Sequence, residues 1–189
     1  MLLVLHKFSN DPKAQSHDFL SKCLFEFCDI KNAEELIKKT EHGKPLIDGC
    51  AFSISHSKKA LCIALSCEKQ PVLDINALVI DEVTFADSLG VDIESVFDKE
   101  YDRCKKIADA KFFDNEKTLL SLCKTQSEFI DLFCDIWTKK ESYCKYTGVG
   151  LKDAMSFDTT DYSEDLIFYT KNLLIDDKKF SLSVCYNAK

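Results

Sequence analysis

Hydrophobic residues recur at helical spacing in two widely separated stretches of this chain, and strand-like segments accompany each stretch. In 14–29 the apolar residues keep a spacing of three to four, which predicts an amphipathic helix. The strongest helical pattern covers about 126–146, where one apolar stripe runs up to the glycines of Gly148-Val149-Gly150. This repeated combination of one helix with several strands favours a mixed α+β fold.

The remaining pattern divides the chain into two similar α+β subdomains, 1–88 and 89–189. Shorter helices are predicted at Asn32–Lys39 and at Ile107–Leu122, where Asp114 is a candidate cap before a second helical turn. The apolar stretch within 67–89 extends a sheet or forms a hairpin, and the pattern leaves both open. Strands are predicted at Leu2–Phe8, Phe52–Ser55, Ala60–Leu65, Leu89–Glu94, Leu166–Thr170 and Phe180–Tyr186.

Charge and hydropathy exclude several classes of protein. The 32 acidic and 25 basic side chains give a formal net charge of −7, which argues against general nucleic-acid binding. No apolar run approaches the roughly 20 residues that a membrane helix needs. The apolar run at the start of the chain is too short for a signal-peptide core. We therefore expect a cytoplasmic protein without a membrane segment.

The ten cysteines suggest a metal or disulfide protein until their spacing is considered. They form no C-x-x-C pair, which zinc and thioredoxin-type sites use to bring two sulfurs together. Most lie in apolar stretches, as Cys62 does, where a free thiol behaves as a small hydrophobic side chain. The expectation is reduced, structural thiols.

The first candidate site is Asp92-Ile93-Glu94 in a predicted strand. Side chains two residues apart share a face of a strand, so both carboxylates point the same way. Two hard oxygen ligands suit Mg²⁺. The alternative is the exposed polar face of an edge strand.

Glu141 and Lys145 form a second candidate, because four residues apart they share a helical face. One interpretation is an ordinary surface ion pair. The other makes Glu141 a metal ligand or a base, with Lys140 or Lys145 facing phosphate.

Two short motifs in the first half are weaker candidates. Ser53-Ile54-Ser55-His56-Ser57 places hydroxyls and an imidazole at a strand end, where they can hold phosphate. A solvated Ser-rich turn is the alternative. Gly43-Lys44-Pro45 places a lysine on a stiff turn and alone says little.

The order of these motifs resembles a known family. The chain runs through Gly43-Lys44-Pro45, Phe52–Ser57, Gly90–Glu94, Phe112–Glu116 and Trp137–Lys145. The 4′-phosphopantetheinyl transferases of the two-halved type that activates surfactin synthetase read G-K-P, F-N-x-S-H-S, G-[IV]-D-[IV]-E, F-F-x-x-E and W-[ST]-x-K-E-[SA]-x-x-K. Five motifs in one order make a chance resemblance improbable.

The resemblance implies transfer of the phosphopantetheine arm of coenzyme A to a serine of an apo acyl or peptidyl carrier protein, with release of adenosine 3′,5′-bisphosphate. It also implies two α+β subdomains related by a pseudo-twofold axis, an active site in the cleft between them, and a monomer. The alternatives are a non-catalytic module that binds coenzyme A or a carrier protein, and a metal-dependent phosphohydrolase.

By the same resemblance, Asp92, Glu94 and Glu141 would bind Mg²⁺, and Glu141 would take the proton of the carrier serine. Lys145 would stabilise the pyrophosphate. The nucleotide end of coenzyme A would be held by Gly43, Lys44, Pro45, Ser55 and His56. Glu116 would have a supporting role.

The sequence departs from the family where a basic residue usually contacts the 3′-phosphate of coenzyme A. His17 and Asp18 occupy that region, and Lys13 or Lys22 is a possible substitute. A chain of net charge −7 must also concentrate its positive charge to attract anionic partners. The candidate basic patch consists of Lys44, Lys58, Lys59, Lys140 and Lys145.

Overall fold

Nine strands and five helices make up the part of the protein that the computed structural model describes, residues 1–7, 12–67, 77–79, 86–149 and 155–187. The strands are β1 (Leu2–Lys7), β2 (Lys38–Lys39), β3 (Pro45–Leu46), β4 (Cys50–Ser57), β5 (Ala60–Cys67), β6 (Ala77–Val79), β7 (Leu89–Ser95), β8 (Leu166–Ile175) and β9 (Lys178–Asn187). The helices are α1 (Pro12–Cys28), α2 (Ala33–Leu36), α3 (Tyr101–Lys111), α4 (Asp114–Ser121) and α5 (Gln126–Thr147).

The first sheet is antiparallel and has the strand order β4-β5-β1-β6. Helix α1 packs on one face, because its apolar stripe of Leu20, Leu24 and Phe27 is buried against the sheet. The sequence left open whether the apolar stretch within 67–89 extends a sheet or forms a hairpin. Its residues 77–79 form β6, which pairs with β1 and extends this sheet. The rest of 68–85, apart from those three residues, lies outside the described residues.

The second sheet has the order β7-β9-β8 and carries α5 on one face. The β8–β9 hairpin turns at Asp176 and Asp177, which both adopt positive φ angles of 50° and 58°. Asp tolerates this left-handed conformation, which a two-residue hairpin turn of type I′ requires at both central positions. A common hydrophobic core then joins the two sheets, with Leu3 and Ala64 from the first and Val91 and Leu182 from the second.

A row of serines connects the two sheets where edge strand β4 lies beside edge strand β7. The Oγ atoms of Ser53, Ser55 and Ser57 accept hydrogen bonds from the backbone N–H groups of Val91, Ile93 and Ser95, at 3.0, 3.3 and 3.0 Å. Alternate residues of a strand share a face, so three serines at spacing two satisfy three donors in turn. The serine row fixes the register between the predicted phosphate motif and the predicted carboxylate motif.

The two shorter predicted helices were only partly correct. Ile107–Leu122 is not continuous, because Phe112 and Phe113 adopt extended backbone angles and separate α3 from α4. Phe112 is buried in a third core with Leu120 and Phe133, so the break serves packing. Asn32–Lys39 contains only the four-residue α2, and Lys38–Lys39 pairs with β3 instead.

The prediction that the thiols are all reduced is wrong for Cys28 and Cys67, which form a disulfide between the end of α1 and the end of β5. The local spacing could not reveal this pair, because a sequence separation of 39 is bridged only by the packing of α1 on the sheet. The other cysteines are not disulfide-bonded, and all but Cys123 are buried.

The fold class is mixed α+β, as predicted. None of the described helices has the length and apolar character to span a membrane.

Candidate active site

Helix α5 lies unusually close to strand β7, and Gly90 permits this approach. A Cβ atom at position 90 would lie 2.0 Å from the carbonyl oxygen of Ser142 and 2.3 Å from the backbone nitrogen of Tyr146. Any side chain at this position would therefore push the helix away. The close packing places Glu141 and Lys145 of α5 over the carboxylates of β7.

Asp92 is the centre of the site. Its Oδ1 accepts hydrogen bonds from the Lys145 ammonium at 2.8 Å and from the Ser55 hydroxyl at 2.7 Å. The residue is only 4% exposed. Its second oxygen, Oδ2, is buried and has no hydrogen-bond partner among the described residues. A buried carboxylate oxygen without a donor is costly, so it is an available ligand atom for a cation.

The carboxylate of Glu141 lies close enough to Asp92 for the two negative charges to interact. Its pKa is raised to about 7, first by burial and then by the negative charge of Asp92 and, more weakly, of Glu94, against the opposing charge of Lys145. Among the described residues no hydrogen bond reaches its carboxylate. A carboxylate with a pKa near neutrality is suited to accept and release protons.

Glu94 follows Asp92 on the same face of β7, but a lysine that the sequence motifs did not indicate binds it. The Lys99 ammonium lies 2.6 Å from Glu94 Oε2, and both side chains are about three-quarters buried. Burial raises the pKa of Glu94, and the hydrogen bond to Lys99 opposes this rise only in part. Lys99 lies just beyond the end of β7, outside every family motif, so no pattern singled it out.

Lys44 lies at the end of α5 and away from the carboxylates. Its ammonium donates to the carbonyl oxygen of Tyr146 at 2.7 Å, to Ser88 Oγ at 2.9 Å and to the carbonyl oxygen of Leu89 at 3.4 Å. Burial lowers its pKa to about 8. The side chain thus ties the Gly43-Lys44-Pro45 turn to the last turn of α5, whose carbonyl groups lack helical partners.

Lys44 also borders a cavity of about 300 Å³, which is lined by Ser88 and Leu89 together with Gly49 to Phe52. Gly43 adopts φ +84°, which only glycine adopts without strain. Pro45 begins β3 and is half-buried, and His56 is exposed near the end of β4. His56 lies next to Ser55, on the other face of the strand.

The prediction that Lys140 belongs to an exposed basic patch is wrong. Lys140 and Glu116 are both 0% exposed, and their Nζ and Oε1 atoms lie 2.9 Å apart. The ammonium also donates to the carbonyl oxygen of Phe157 and lies 4.9 Å from the ring centroid of Phe113. The motif letters did not reveal this burial, because Lys139 and Lys140 are chemically identical neighbours, about 100° apart around the helix, and only Lys140 is buried.

The carboxylates fit a hard divalent cation such as Mg²⁺. The donor set is oxygen, one ligand atom of Asp92 is unpartnered, and Mg²⁺ takes one or two carboxylates with water and phosphate for the rest. Among the described residues, however, the ligand oxygens of Asp92, Glu94 and Glu141 do not all lie within 4.8 Å of one another. The three-carboxylate ligand set stays a prediction.

Comparison with known proteins assigns the region that holds these residues. Residues 88–186, about half of the chain, match the family model described as the 4′-phosphopantetheinyl transferase superfamily. The match includes β7, α5 and β8, and therefore contains Asp92, Glu94, Glu141 and Lys145. The chain belongs to the 4′-phosphopantetheinyl transferase superfamily. This confirms the resemblance inferred from the motifs.

A curated relative extends the similarity towards the first half. The chain is 32% identical over 133 residues to the 4′-phosphopantetheinyl transferase gsp of Aneurinibacillus migulanus. The aligned part is 70% of this chain and 46% of that protein. The chain therefore spans about half the length of this superfamily member.

Proposed function

We propose that this protein transfers the 4′-phosphopantetheine arm of coenzyme A to a serine of an apo acyl or peptidyl carrier protein. The single observation that carries the proposal is the buried Oδ2 of Asp92, which has no hydrogen-bond partner among the described residues, while Lys145 binds the other oxygen of the same carboxylate and Glu141 lies nearby. Membership of the superfamily supports the reaction class. Coenzyme A is the donor, and adenosine 3′,5′-bisphosphate is the product that leaves.

Each side chain of the cleft has a part in this reaction. Asp92 and Glu141, with Glu94 beside them, would hold Mg²⁺, which when bound neutralises charge on the pyrophosphate of coenzyme A. Lys145 orients Asp92 and presents a partly exposed ammonium to the phosphates. Ser55 donates to Asp92 and accepts from Ile93, so it holds the carboxylate in place and is a positioning residue.

The transfer itself forms one bond and breaks another. The carrier serine oxygen attacks the phosphorus that bears the pantetheine arm, and the bond from this phosphorus to the bridging oxygen of the pyrophosphate breaks. Glu141 takes the serine proton, directly or through a water molecule. Lys145 stabilises the negative charge that develops on the departing bisphosphate.

The nucleotide end of coenzyme A would occupy the cavity beside Lys44 and lie against the Gly43-Lys44-Pro45 turn, and Ser55 and His56 of β4 would hold it as well. The cavity of about 300 Å³ and the lysine at its edge support this placement. The Lys44 ammonium has three protein acceptors, so we propose that it shapes the cavity in addition to any contact with phosphate.

We further propose a monomer built of two pseudo-twofold-related subdomains, 1–88 and 89–189, with the cleft between them. The distribution of strands supports this division, since sheet β4-β5-β1-β6 lies within the first segment and sheet β7-β9-β8 within the second. The serine row and the joint core hold the two sheets together. We propose that the protein acts in the cytoplasm on carrier proteins and binds neither nucleic acid nor membranes.

The experiment incubates the purified chain with coenzyme A, Mg²⁺ and several apo carrier proteins, and measures the intact mass of each carrier. We expect the mass of one phosphopantetheine to be added to at least one carrier. Glu141→Gln should lower the rate by about 10²-fold to 10⁴-fold, the usual contribution of a general base. Glu128→Gln, at an exposed position on the first turn of the same helix, is the matched control.

Two outcomes would contradict the proposal. Tight binding of coenzyme A without mass gain on any carrier would favour the non-catalytic module instead. Release of phosphate without a carrier would favour a phosphohydrolase.

A further inference from the structure

Three cysteines meet on the side of the first sheet that carries α1, and the proposed transfer uses none of them. Cys28 is the last residue of α1, Cys50 the first residue of β4 and Cys67 the last residue of β5. Their sulfur atoms all lie within 4.8 Å of one another. Within the described residues this is the one group of three or more His, Cys, Asp or Glu side chains that converges so closely.

The strand register explains why the three sulfurs meet. Cys50 and Cys67 are direct partners in the antiparallel β4–β5 pair. The last turn of α1 packs over this end of the sheet, and Cys28 Sγ lies 3.7 Å from Cys50 Sγ. Two adjacent strand ends and one helix end thus converge from three directions, as ligands of a compact metal centre do.

The distances match a tetrahedral thiolate centre. Zinc–sulfur bonds of about 2.3 Å in tetrahedral geometry separate neighbouring sulfurs by about 3.8 Å. The Cys28–Cys50 separation of 3.7 Å already equals this edge. The Cys67 sulfur, now bonded to Cys28, needs only to move away by the difference between a disulfide bond and such an edge.

Attack by the Cys50 thiolate on the Cys28–Cys67 disulfide explains the position of Cys50 less well than a metal site does. A thiolate displaces its leaving sulfur most readily when the three sulfurs are nearly collinear. A line through Cys50, Cys28 and Cys67 would separate its outer sulfurs by about 5.8 Å, the 3.7 Å contact plus a bond of about 2.05 Å. The outer sulfurs lie within 4.8 Å, so the group is a triangle.

We propose that Cys28, Cys50 and Cys67 form a thiolate site for Zn²⁺ when the Cys28–Cys67 disulfide is reduced. A dithiol reductant supplies two electrons and two protons and becomes a disulfide itself, while Cys28 and Cys67 become thiols. Binding of Zn²⁺ then releases three protons, one from each thiol, and three zinc–sulfur bonds form. Water supplies the fourth ligand from the side of Cys67, which is the least buried of the three.

The surroundings favour zinc over other thiophilic cations. Cys28 and Cys50 are buried, so a thiolate in this apolar setting needs a bound cation to offset its charge. Three thiolates with Zn²⁺ leave one net negative charge, whereas three thiolates with Cu⁺ leave two. The smaller residual charge costs less in an apolar environment. Mg²⁺ prefers oxygen ligands, so the carboxylate cleft and this site select different ions.

Either state of the site connects the same elements. The disulfide joins α1 to β5, and the zinc form would join α1 to both β4 and β5. The helix would therefore stay anchored to the sheet under oxidising and reducing conditions alike.

The test measures metal binding on the full chain, reduced with a dithiol and transferred without oxygen into metal-free buffer. We expect one equivalent of Zn²⁺ to bind, and Co²⁺ in its place to give the thiolate-to-metal charge-transfer absorption that carboxylate ligands cannot give. Cys50→Ser should lower the zinc affinity by at least tenfold. Cys123→Ser, at the one half-buried free cysteine, is the matched control and should change nothing.

A measurement on the unaltered chain makes the proposal independent of the folding of any variant. Zinc should protect Cys28, Cys50 and Cys67 from alkylation, as read from peptide masses, and should leave the modification of Cys123 unchanged. Absence of stoichiometric zinc, absence of the charge-transfer band, or equal alkylation of the three cysteines with and without zinc would each overturn the proposal. Loss of transferase activity alone would not bear on it.

Discussion

Two lysine–carboxylate pairs lie on different faces of α5, five residues apart, and they differ in how completely they are satisfied. In the first pair Lys140 and Glu116 are both 0% exposed, and Glu116 also accepts from the backbone and hydroxyl of Thr159 and from the backbone of Phe113. In the second, Lys145 is 30% exposed and Asp92 keeps one oxygen without a partner in the described chain.

The difference separates a structural ion pair from a chemically available one. A buried pair with every atom bonded contributes to a unique packing and has no capacity left for a ligand. It holds α4, α5 and the segment at Phe157 to Thr159 together. A partly exposed pair, in which one carboxylate oxygen has no partner among the described residues, can still bind a further ligand there. Helix α5 supplies the lysine of both pairs. The same combination of lysine and carboxylate is therefore structural in one place and open to a ligand in the other.

The largest effect is expected from breaking the closed pair. Lys140→Met leaves the Glu116 carboxylate buried without its cation, which costs about 3–5 kcal/mol of the free energy of unfolding. Urea denaturation measures this loss. The double variant Lys140→Met with Glu116→Gln should recover part of it, because no charge is then buried alone. A loss below about 1 kcal/mol for the single variant would mean that the pair is not closed.

Breaking the open pair should affect transfer far more than stability. Lys145→Met should lower the transfer rate by about 10²-fold, the scale for one electrostatic contact to the transition state. The free energy of unfolding should fall by about 1 kcal/mol, since solvent reaches the site. Equal losses of stability in Lys145→Met and Lys140→Met would remove the distinction between the pairs.

A single donor to the closed pair gives a finer test. Thr159→Val removes the hydroxyl that donates to Glu116 Oε1 at 2.8 Å but keeps the backbone donor. We expect a loss of about 1.5–2 kcal/mol, as for a hydrogen bond to a charged group. Thr160→Val, one residue later, removes an exposed hydroxyl that donates to Asp158 and is the solvent-exposed comparison. Similar losses for both variants would show that Glu116 does not depend on this donor.

Removal of the Lys99 ammonium should make the Glu94 carboxylate available to a cation. Its ammonium binds Glu94 at 2.6 Å and so competes with any cation for that carboxylate. Lys99→Met should therefore tighten Mg²⁺ binding by about threefold to tenfold in isothermal titration, as expected for an ion pair of about 1 kcal/mol. Lys105→Met, which removes an exposed ion pair on α3, is the control. Unchanged or weaker Mg²⁺ binding would argue that Glu94 takes no part in the cation site.

Lys44 is a third lysine against α5, half-buried and bonded only to neutral acceptors. Burial lowers its pKa from 10.5 to about 8, so between these values the unfolded chain binds the proton and the folded chain does not. The free energy of unfolding of the parent, relative to Lys44→Met, should then rise from pH 8 to pH 10.5, by an amount on the order of 1 kcal/mol given its partial solvation. A flat difference over this range would contradict the lowered pKa.

The sequence predicted most elements because their periodicity is local. The helix at 126–146 was found nearly to its ends, since its apolar stripe and the cap at Gly148, with φ +74°, are all encoded within it. The bounds of the shorter helices were predicted less well. Phe112 and Phe113 interrupt a helix whose pattern continues past them, because burial of Phe112 outweighs local helix preference.

The residues of the site were predicted by the order of motifs, and their contacts were not. The chain by itself determined which carboxylates and lysines share a face, because spacing of two on a strand and four on a helix follows from backbone geometry. Only tertiary structure decided that Ser55 binds Asp92, that Lys99 binds Glu94 and that Lys140 is buried. The first contact joins two strands across 37 residues, the second depends on the turn that follows β7, and the third turns one lysine of two inward.

The cysteines follow the same division. The sequence determined that they are apolar in setting and lack the spacing of a local metal motif, and this was correct for most of them. It could not place Cys28, Cys50 and Cys67 together, because that meeting requires the β4–β5 register and the packing of α1 at once. Local patterns specify the elements and their faces, while long-range packing specifies which side chains, distant in sequence, touch.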